Sequence, residues 1–223
     1  MVQSKLFNKY SEIEHFFLDK EEMQNRVKFA PLKREVCTLD QIHSDKVIFI
    51  KSLSEKKYQA DALVTNKNIY IGVYTADCLP ILLYDTEKKI IAAIHAGWRG
   101  LLNGVILNTV AYMVKIGSDK KRIVVAIGPH IKKCCFEISK ELSDNFFKKY
   151  KYLNKKARGK SSHPGHEYFS LTEVALNQLK YTSILSTNID TINICTFCDK
   201  KFYSYRRDHN KNGRMLNTIG LIY

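Results

Sequence analysis

Apolar positions recur at short spacing along the whole chain, and most of the runs resemble strands. Nine runs are rich in β-branched or aromatic residues and are bounded by turn residues, a pattern typical of buried strands. They cover residues 47–51, 62–65, 69–74, 81–84, 90–94, 123–127, 189–195, 202–205 and 215–222. The pattern therefore predicts a protein with many short strands.

Helical patterns are fewer. One segment is apolar almost all round and ends at a glycine, a second carries one apolar stripe, and a third follows a capping-box signature formed by Ser170 and Glu173. These predicted helices cover residues 101–116, 139–153 and 171 to about 181. Residues 154–166 are polar and contain Gly and Pro, which predicts a mobile loop.

The order of these elements favours one fold class. Helices are interspersed among many strands, and short turns join several of the strands, whereas parallel strands would need a long crossover between every pair. We find no internal repeat and no low-complexity linker. We therefore expect an α+β (mixed α/β) fold in a single domain over residues 1–223, built as a sandwich of mixed, largely antiparallel sheet with packed helices.

One predicted hairpin brings two reactive side chains together. The polar residues 85–89 separate two apolar runs and have the length of a hairpin loop. If Tyr84 and Ile90, which flank this loop, pair with each other, then His95 pairs with residue 79. Cys78 is next to residue 79 and so lies within one position of the residue opposite His95. Pro80 is expected to interrupt the ladder with a bulge or break, since proline does not continue a regular ladder. The prediction is that Cys78 and His95 lie close together.

His43 is a third candidate near this pair, at the mouth of the strand over residues 47–51. Two imidazoles and a thiolate form a three-ligand set that suits zinc and leaves a fourth position open for water or substrate. Taken singly, each of these residues is also explained as part of a packed core, and spacing alone does not decide between the two interpretations. Arg99, at the start of the helical segment after His95, favours an anion.

The charge balance suggests anionic partners but does not identify one. Lys+Arg number 36 against 22 Asp+Glu, which gives a formal net charge of +14. Most of the lysines are scattered in pairs, as on a solvated surface, and only residues 148–160 concentrate charge. No RNA-binding motif accompanies that segment, which argues against nucleic acid as the main partner.

The N-terminal residues mix acids and bases without an apolar core, which argues against a secretory signal, and no apolar stretch has the length of a membrane span. We therefore expect a cytoplasmic protein whose six cysteines are reduced thiols. Four of these cysteines could form a structural zinc site: Cys134, Cys135, Cys195 and Cys198. Adjacent cysteines fit tetrahedral ligation poorly, so we favour reduced core thiols instead.

Four segments resemble the YfiH family, also called the laccase-domain or multicopper polyphenol oxidase family. They read TADCLPILLYD, IHAGWRG, IGPHIKKCCFE and CTFCDKKFYSYRRDHNKNGRM, and the resemblance runs from about His43 to the C-terminus. It implies a mixed α/β sandwich and a metal site made by His43, Cys78 and His95. It also implies phosphorolysis of adenosine, inosine, guanosine and S-methyl-5'-thioadenosine, with adenosine deamination as a second activity. The implied partners are purine nucleosides and phosphate.

The residues provide candidates for each part of this chemistry. Zinc can deliver hydroxide to the amino-bearing carbon of adenine. Candidate acid, base or nucleophilic groups are Cys78, His95 and Asp77, and Asp61 is a further carboxylate of this kind. The cations available for phosphate are Lys46, Arg99, Arg206 and Arg207. We expect the last two to alternate faces on a strand, so that at most one points at the site.

Two other activities remain open at this stage. Copper is an alternative to zinc, because a His2Cys set could hold it, and a copper-dependent polyphenol oxidase is then conceivable. The chain has no H-x-H pair for the further copper cluster of a laccase, which argues against oxygen reduction. A metal-free hydrolase with Cys78 as nucleophile and His95 as base is the stronger rival. A basic binding protein without enzymatic activity is a third possibility.

Overall fold

The computed structural model describes residues 2–25, 35–53, 58–209 and 213–222. Its strands are β1 (Ile13–Phe17), β2 (Val36–Cys37), β3 (Val47–Phe49), β4 (Ala62–Thr65), β5 (Tyr70–Thr75), β6 (Leu79–Asp85), β7 (Ile90–Ala96), β8 (Ile123–Ile127), β9 (Glu137–Ser139), β10 (Arg158–Lys160), β11 (His166–Phe169), β12 (Ile189–Thr191) and β13 (Met215–Leu221). Its helices are α1 (Lys20–Gln24), α2 (Trp98–Asn103), α3 (Val105–Lys115), α4 (Lys140–Lys149), α5 (Leu171–Tyr181) and α6 (Tyr205–Asp208).

The strands form three sheets within these residues. The largest has the order β12-β8-β6-β7-β4-β3, the second β1-β13-β5-β2, and the smallest β10-β11-β9. Most neighbours are antiparallel, and the parallel pairs are β12 with β8, β3 with β4, and β2 with β5. The expectation of a mixed α/β fold with largely antiparallel sheet is confirmed, whereas the single domain over residues 1–223 stays a prediction.

The six-stranded sheet is the centre of the sandwich and is covered on both faces. On one face Ile81 and Leu83 of β6 join a core that includes Val110 of α3 and Val174 of α5. On the other face Leu82 and Tyr84 join a second core with residues of the four-stranded sheet. Because β6 is buried on both faces, its sequence is continuously apolar rather than alternating.

The hairpin register differs from the prediction by one residue. His95 lies opposite Pro80, not Leu79, and the ladder between β6 and β7 continues through the proline without a bulge. The Pro80 carbonyl accepts from Gly128 N at 2.9 Å and therefore faces β8. The nitrogen and the carbonyl of one strand residue face the same neighbouring strand, so the proline nitrogen faces β8 as well. The β8 ladder begins only at Ile81. No ladder hydrogen bond therefore requires the missing N–H.

The predicted helix over residues 101–116 is two helices. Gly104 adopts a φ of +98° between α2 and α3, a conformation that favours glycine and ends the first helix. The predicted stop at Gly117 is confirmed, with a φ of +112°. The predicted start of α5 is also confirmed, because the Ser170 hydroxyl accepts from Glu173 N.

Two local predictions are wrong. Residues 202–205 are not a strand, because the Ser204 hydroxyl accepts from Arg207 N and begins α6 instead. Residues 154–166 are not simply a loop, since β10 lies within them and pairs with β11. The sequence pattern also missed β1, where Glu14 and His15 interrupt the apolar run.

None of the helices in the described ranges has the length and apolar character needed to cross a membrane.

His15 makes the stability of the fold dependent on pH. It is 2 % exposed, and its Nε2 accepts from Ser4 N at 2.8 Å. Burial lowers its pKa from 6.5 to about 4, although the charge of Asp190 acts in the opposite direction. The unfolded chain therefore binds a proton more readily than the folded protein. Stability is complete above about pH 6.5 and is lost as the pH falls towards 4.

We expect His15→Gln, which does not titrate, to lose less stability than the wild type between pH 7 and pH 4. The difference should approach about 3 kcal/mol in the free energy of unfolding, which follows from the lowered pKa. Urea denaturation at both pH values measures it. Equal losses in the two proteins would show that His15 does not contribute.

Candidate metal centre and active site

His43, Cys78 and His95 meet at one end of the central sheet. Cys78 directly precedes β6, His95 is near the end of β7, and His43 lies in the segment between β2 and β3. One ligand atom from each lies within 4.8 Å of the others. The two imidazole rings meet edge to face with centroids 4.7 Å apart. The predicted proximity of Cys78 and His95 is confirmed, because the one-residue shift still places both at the same end of the hairpin.

Asp61 lies behind these three residues and forms hydrogen bonds with two of them, His43 and His95. Its carboxylate is fully buried: Oδ1 accepts from His43 N at 3.0 Å and lies 2.8 Å from His95 Nδ1, while Oδ2 accepts from Ser44 Oγ at 2.7 Å. Its carbonyl also accepts from His95 N at 2.8 Å. The carboxylate holds a proton on Nδ1 of His95, which leaves Nε2 as the available nitrogen. A carboxylate behind a histidine in this way is typical of metal centres.

Two further contacts shape the segment that carries His43. The Gln41 side chain donates to Tyr74 O at 2.8 Å and accepts from Tyr74 N at 2.7 Å, which fastens the segment to β5. Gly97 lies beside the group, where a Cβ atom would be 3.0 Å from His43 Cδ2 and 3.1 Å from Cys78 Sγ. A side chain at position 97 would therefore press on two of the three candidate ligands.

The electrostatics of the group favour charge separation when no metal is bound. Burial alone would raise the pKa of the Cys78 thiol, but the charge of His95 and hydrogen bonds from His43 and His95 outweigh it and lower the pKa to about 6. Burial alone would lower the pKa of His95, but the Cys78 thiolate and Asp61 raise it to about 9. At neutral pH the pair is then a thiolate and an imidazolium.

The three side chains open into a cavity of about 680 Å³. This size is within the range of small-molecule sites. Its lining also includes Gln41, Tyr74, Arg99, Tyr205 and Arg214. The cavity therefore combines aromatic rings and two guanidinium groups with the imidazoles and the thiol.

The structure places only one of the four predicted cations in this lining. Arg99 contributes to the cavity wall, whereas Lys46 lies on another part of the surface, beside Asn108. Arg206 and Arg207 are on helix α6, so the expected alternation along a strand is wrong.

The contacts of Arg206 and Arg207 explain why neither lines the cavity. Arg206 donates to Glu137 O at 3.0 Å, and its guanidinium lies over the ring of Phe136. Arg207 donates to three backbone carbonyls and pairs with Asp208. Both side chains therefore have structural contacts, Arg206 with β9 and Arg207 with the backbone that precedes α6.

Asp77 does not line the cavity either, although it precedes Cys78. One carboxylate oxygen accepts from Thr196 Oγ1 at 2.7 Å, and the other accepts from Ser204 Oγ at 3.1 Å and Arg206 N at 2.7 Å. Its φ is +89°. Because these contacts occupy both oxygens, the structure assigns Asp77 a positioning role for the Cys78 segment rather than the expected catalytic one.

Sequence reasoning missed Arg214, Tyr205, Tyr74 and Gln41 as cavity residues. Arg214 and Tyr205 belong to the segment CTFCDKKFYSYRRDHNKNGRM, so the family motif contains them, but the Arg206–Arg207 pair in the same segment has the same chemistry. The sequence identifies Asp61 only as a candidate acid or base. Its contact with His95 depends on the pairing of β4 with β7, which no local pattern reveals.

The donor set fits a metal ion. Two imidazoles and a thiolate suit zinc or copper, the carboxylate behind His95 is in place, and the cavity leaves access on one side. All seven histidines of the chain lie in the described residues, and the remaining four-cysteine group is the only other ligand cluster found there. These residues therefore offer no second histidine cluster.

Comparison with known proteins places the chain in a family. Residues 18–222 match the family model described as multi-copper polyphenol oxidoreductase laccase. Among curated relatives, a purine nucleoside phosphorylase of Clostridium acetobutylicum is 35% identical over 195 residues, covering 83% of this chain and 77% of that protein. Another of Aquifex aeolicus is 36% identical over 192 residues, covering 86% and 85%.

Solved structures agree with this assignment. A Bacillus licheniformis protein titled hypothetical protein YfiH has a TM-score of 0.78 at 28% identity, covering 90% of this chain and 80% of that one. A Neisseria meningitidis protein assigned to the family DUF152 has a TM-score of 0.81 at 26% identity, with 96% of each chain covered. The fold and site thus define a laccase-domain, purine nucleoside phosphorylase-like enzyme. The chain belongs to the YfiH family, as its motifs indicated.

Asp61→Asn should weaken metal binding. An amide has one acceptor oxygen, so it cannot serve His43 N, His95 Nδ1 and Ser44 together. We expect the affinity for Zn²⁺ to fall about 10- to 100-fold, measured by competition with a chromophoric chelator.

Asp45→Asn is the matched control, because it removes the same charge from a carboxylate that accepts from Asn108 instead. An Asp61→Asn protein that folds normally and keeps the wild-type affinity would contradict the role assigned to Asp61.

Proposed function

We propose that this protein is a zinc-dependent purine nucleoside phosphorylase that cleaves adenosine, inosine, guanosine and S-methyl-5'-thioadenosine, and that it also deaminates adenosine. The observation that carries the proposal is the convergence of His43, Cys78 and His95 beside two guanidinium groups in one cavity. Family membership and the names of the relatives point in the same direction. Reduced thiols at such a centre fit a cytoplasmic location.

Arg99 and Arg214 are the groups that would bind phosphate, since both line the cavity and a guanidinium pairs well with phosphate oxygens. In phosphorolysis a phosphate oxygen forms a bond to C1' of the ribose, the bond from C1' to the base breaks, and its electron pair leaves with the purine, which takes up a proton. The rings of Tyr74 and Tyr205 give the cavity flat apolar surfaces on which a purine can stack.

His43, Cys78 and His95 would hold the zinc ion. Zinc held there supplies Lewis-acid chemistry, including the lowering of the pKa of water, which deamination of adenosine to inosine and ammonia requires. The protein's own contribution is orientation: Asp61 retains the Nδ1 proton of His95 and directs Nε2 toward the centre. Cys78 and His95 then act as ligands rather than as nucleophile and base.

A direct assay tests the proposal. Purified protein is incubated with adenosine, with and without phosphate, and the products are separated by chromatography. We expect adenine and ribose 1-phosphate only with phosphate, inosine without it, and inosine together with its cleavage product hypoxanthine when phosphate is present. His95→Ala should abolish both activities. The absence of phosphate-dependent adenine from metal-replete protein would reject the phosphorylase.

The phosphate site makes a separate prediction. Arg99→Ala and Arg214→Ala should each raise the KM for phosphate about 10- to 100-fold, because each removes a charged hydrogen-bond partner. The KM for the nucleoside should change less. Lys46→Ala is the control, since Lys46 lies outside the cavity, and its steady-state constants should match the wild type. An equal effect of Lys46→Ala would place phosphate elsewhere.

The thiolate and imidazolium pair favours one second candidate, a metal-free Cys/His hydrolase. Metal analysis separates the two. If the cavity of the wild type contains one zinc ion and the Cys78→Ala protein lacks it, the metal enzyme is supported. If the protein keeps full activity after exhaustive chelation, the hydrolase is supported. If the protein instead contains copper and oxidises phenols, the result would support a polyphenol oxidase, the activity in the description of the family model.

A further inference from the structure

Four cysteines outside the cavity converge on one point. Cys134 and Cys135 lie before β9, and Cys195 and Cys198 lie after β12. Their four Sγ atoms are all within 4.8 Å of one another. Four of the Sγ–Sγ distances are 3.5 Å for Cys134–Cys135, 3.8 Å for Cys134–Cys195, 3.9 Å for Cys134–Cys198 and 3.3 Å for Cys135–Cys198.

These distances are close to those of a tetrathiolate zinc site. A Zn–S bond of about 2.3 Å in tetrahedral geometry sets the sulfurs about 3.8 Å apart. Cys134 and Cys198 are exposed, so the expectation of reduced core thiols is wrong for these two, whereas Cys135 and Cys195 are half-buried against the core. Packing therefore accounts for two of the four thiols, but not for the two exposed thiols that converge on them.

A tight turn allows the adjacent cysteines to act together. The N–H groups of Cys135 and Phe136 both donate to Lys132 O at 3.0 Å. This turn brings the two neighbouring sulfurs to the same side of the chain, 3.5 Å apart. The difficulty that adjacent cysteines pose for tetrahedral ligation is thereby removed.

Backbone N–H groups surround the sulfur of Cys195. Its Sγ accepts backbone hydrogen bonds from Lys132 at 3.4 Å and from Phe197 and Cys198 within its own C-x2-C loop. A sulfur bound to a metal still accepts such hydrogen bonds, so these N–H groups suit a ligand position.

We propose that Cys134, Cys135, Cys195 and Cys198 form a second, structural metal site that binds one Zn²⁺ with all four thiolates. Binding forms four Zn–S bonds, and the four thiol protons pass to solvent. All four positions are filled by protein, so the site has no place for substrate and serves to hold the two loops together.

The loops that it joins lack other regular pairing in the described residues, where a single bridge links His130 with Cys195. The next residue, Thr196, donates to Asp77 Oδ1, and Asp77 precedes Cys78. The same segment continues to Tyr205 in the cavity wall. A metal bound by the cysteines therefore supports the wall of the active site from outside, independently of whether the cavity binds nucleosides.

Metal counting separates this site from the centre in the cavity. The full-length His43→Ala/His95→Ala protein lacks the cavity ligands and should still contain about one zinc per chain by mass spectrometry of the metal. Adding Cys134→Ser and Cys198→Ser to that protein should remove the remaining zinc. Adding Cys37→Ser instead, which changes a buried cysteine elsewhere, should not. A metal-free His43→Ala/His95→Ala protein would overturn the proposal.

Cobalt provides a readout that does not require the cysteine variant to fold. Co²⁺ added to the zinc-depleted His43→Ala/His95→Ala protein should give the intense sulfur-to-metal charge-transfer bands of four thiolates in tetrahedral geometry. The four thiols should also resist a thiol reagent until a chelator is added. Octahedral spectra, or disulfides among these cysteines in freshly purified protein, would contradict the zinc site.

Discussion

The geometry of the candidate site depends on one buried carboxylate. Asp61 holds the His95 imidazole, the backbone of His43 and the Ser44 hydroxyl with two oxygens, and its backbone belongs to the segment that leads into β4. A buried carboxylate is tolerated only when its hydrogen-bonding capacity is satisfied. The contacts that stabilise Asp61 are the same ones that orient the histidines. The site therefore takes its geometry as the protein folds.

Much of the sheet structure was predictable because it depends on local pattern. The continuous apolar run of β6 and the turn before β7 define a hairpin, and that hairpin alone brings Cys78 close to His95. The register differs by one residue because Asp85 belongs to β6 and pairs with Ile90, whereas the sequence pattern assigned Asp85 to the loop. The expected break at Pro80 is absent because the ladder with β8, a strand far away in sequence, begins only at Ile81.

The misplaced residues share another cause. Arg207 and Asp77 are charged residues within the motifs and were therefore predicted to be functional, yet both side chains contact backbone or hydroxyl groups from other parts of the chain. Conversely, Arg214 reaches the cavity because β13 lies between β1 and β5. Local pattern identifies the chemistry available in the chain, whereas long-range pairing decides which side chains are used and which are structural.

The position of β13 also affects how the protein is made. It lies in the interior of the four-stranded sheet and pairs along its length with β5, although well over a hundred residues separate the two strands in the chain. During translation the hairpin with Cys78 and His95 leaves the ribosome long before Arg214. A nascent chain thus carries exposed β5 edges and an unfinished cavity until late in synthesis, and its reactive thiol gains its full surroundings only when the last described strand is added.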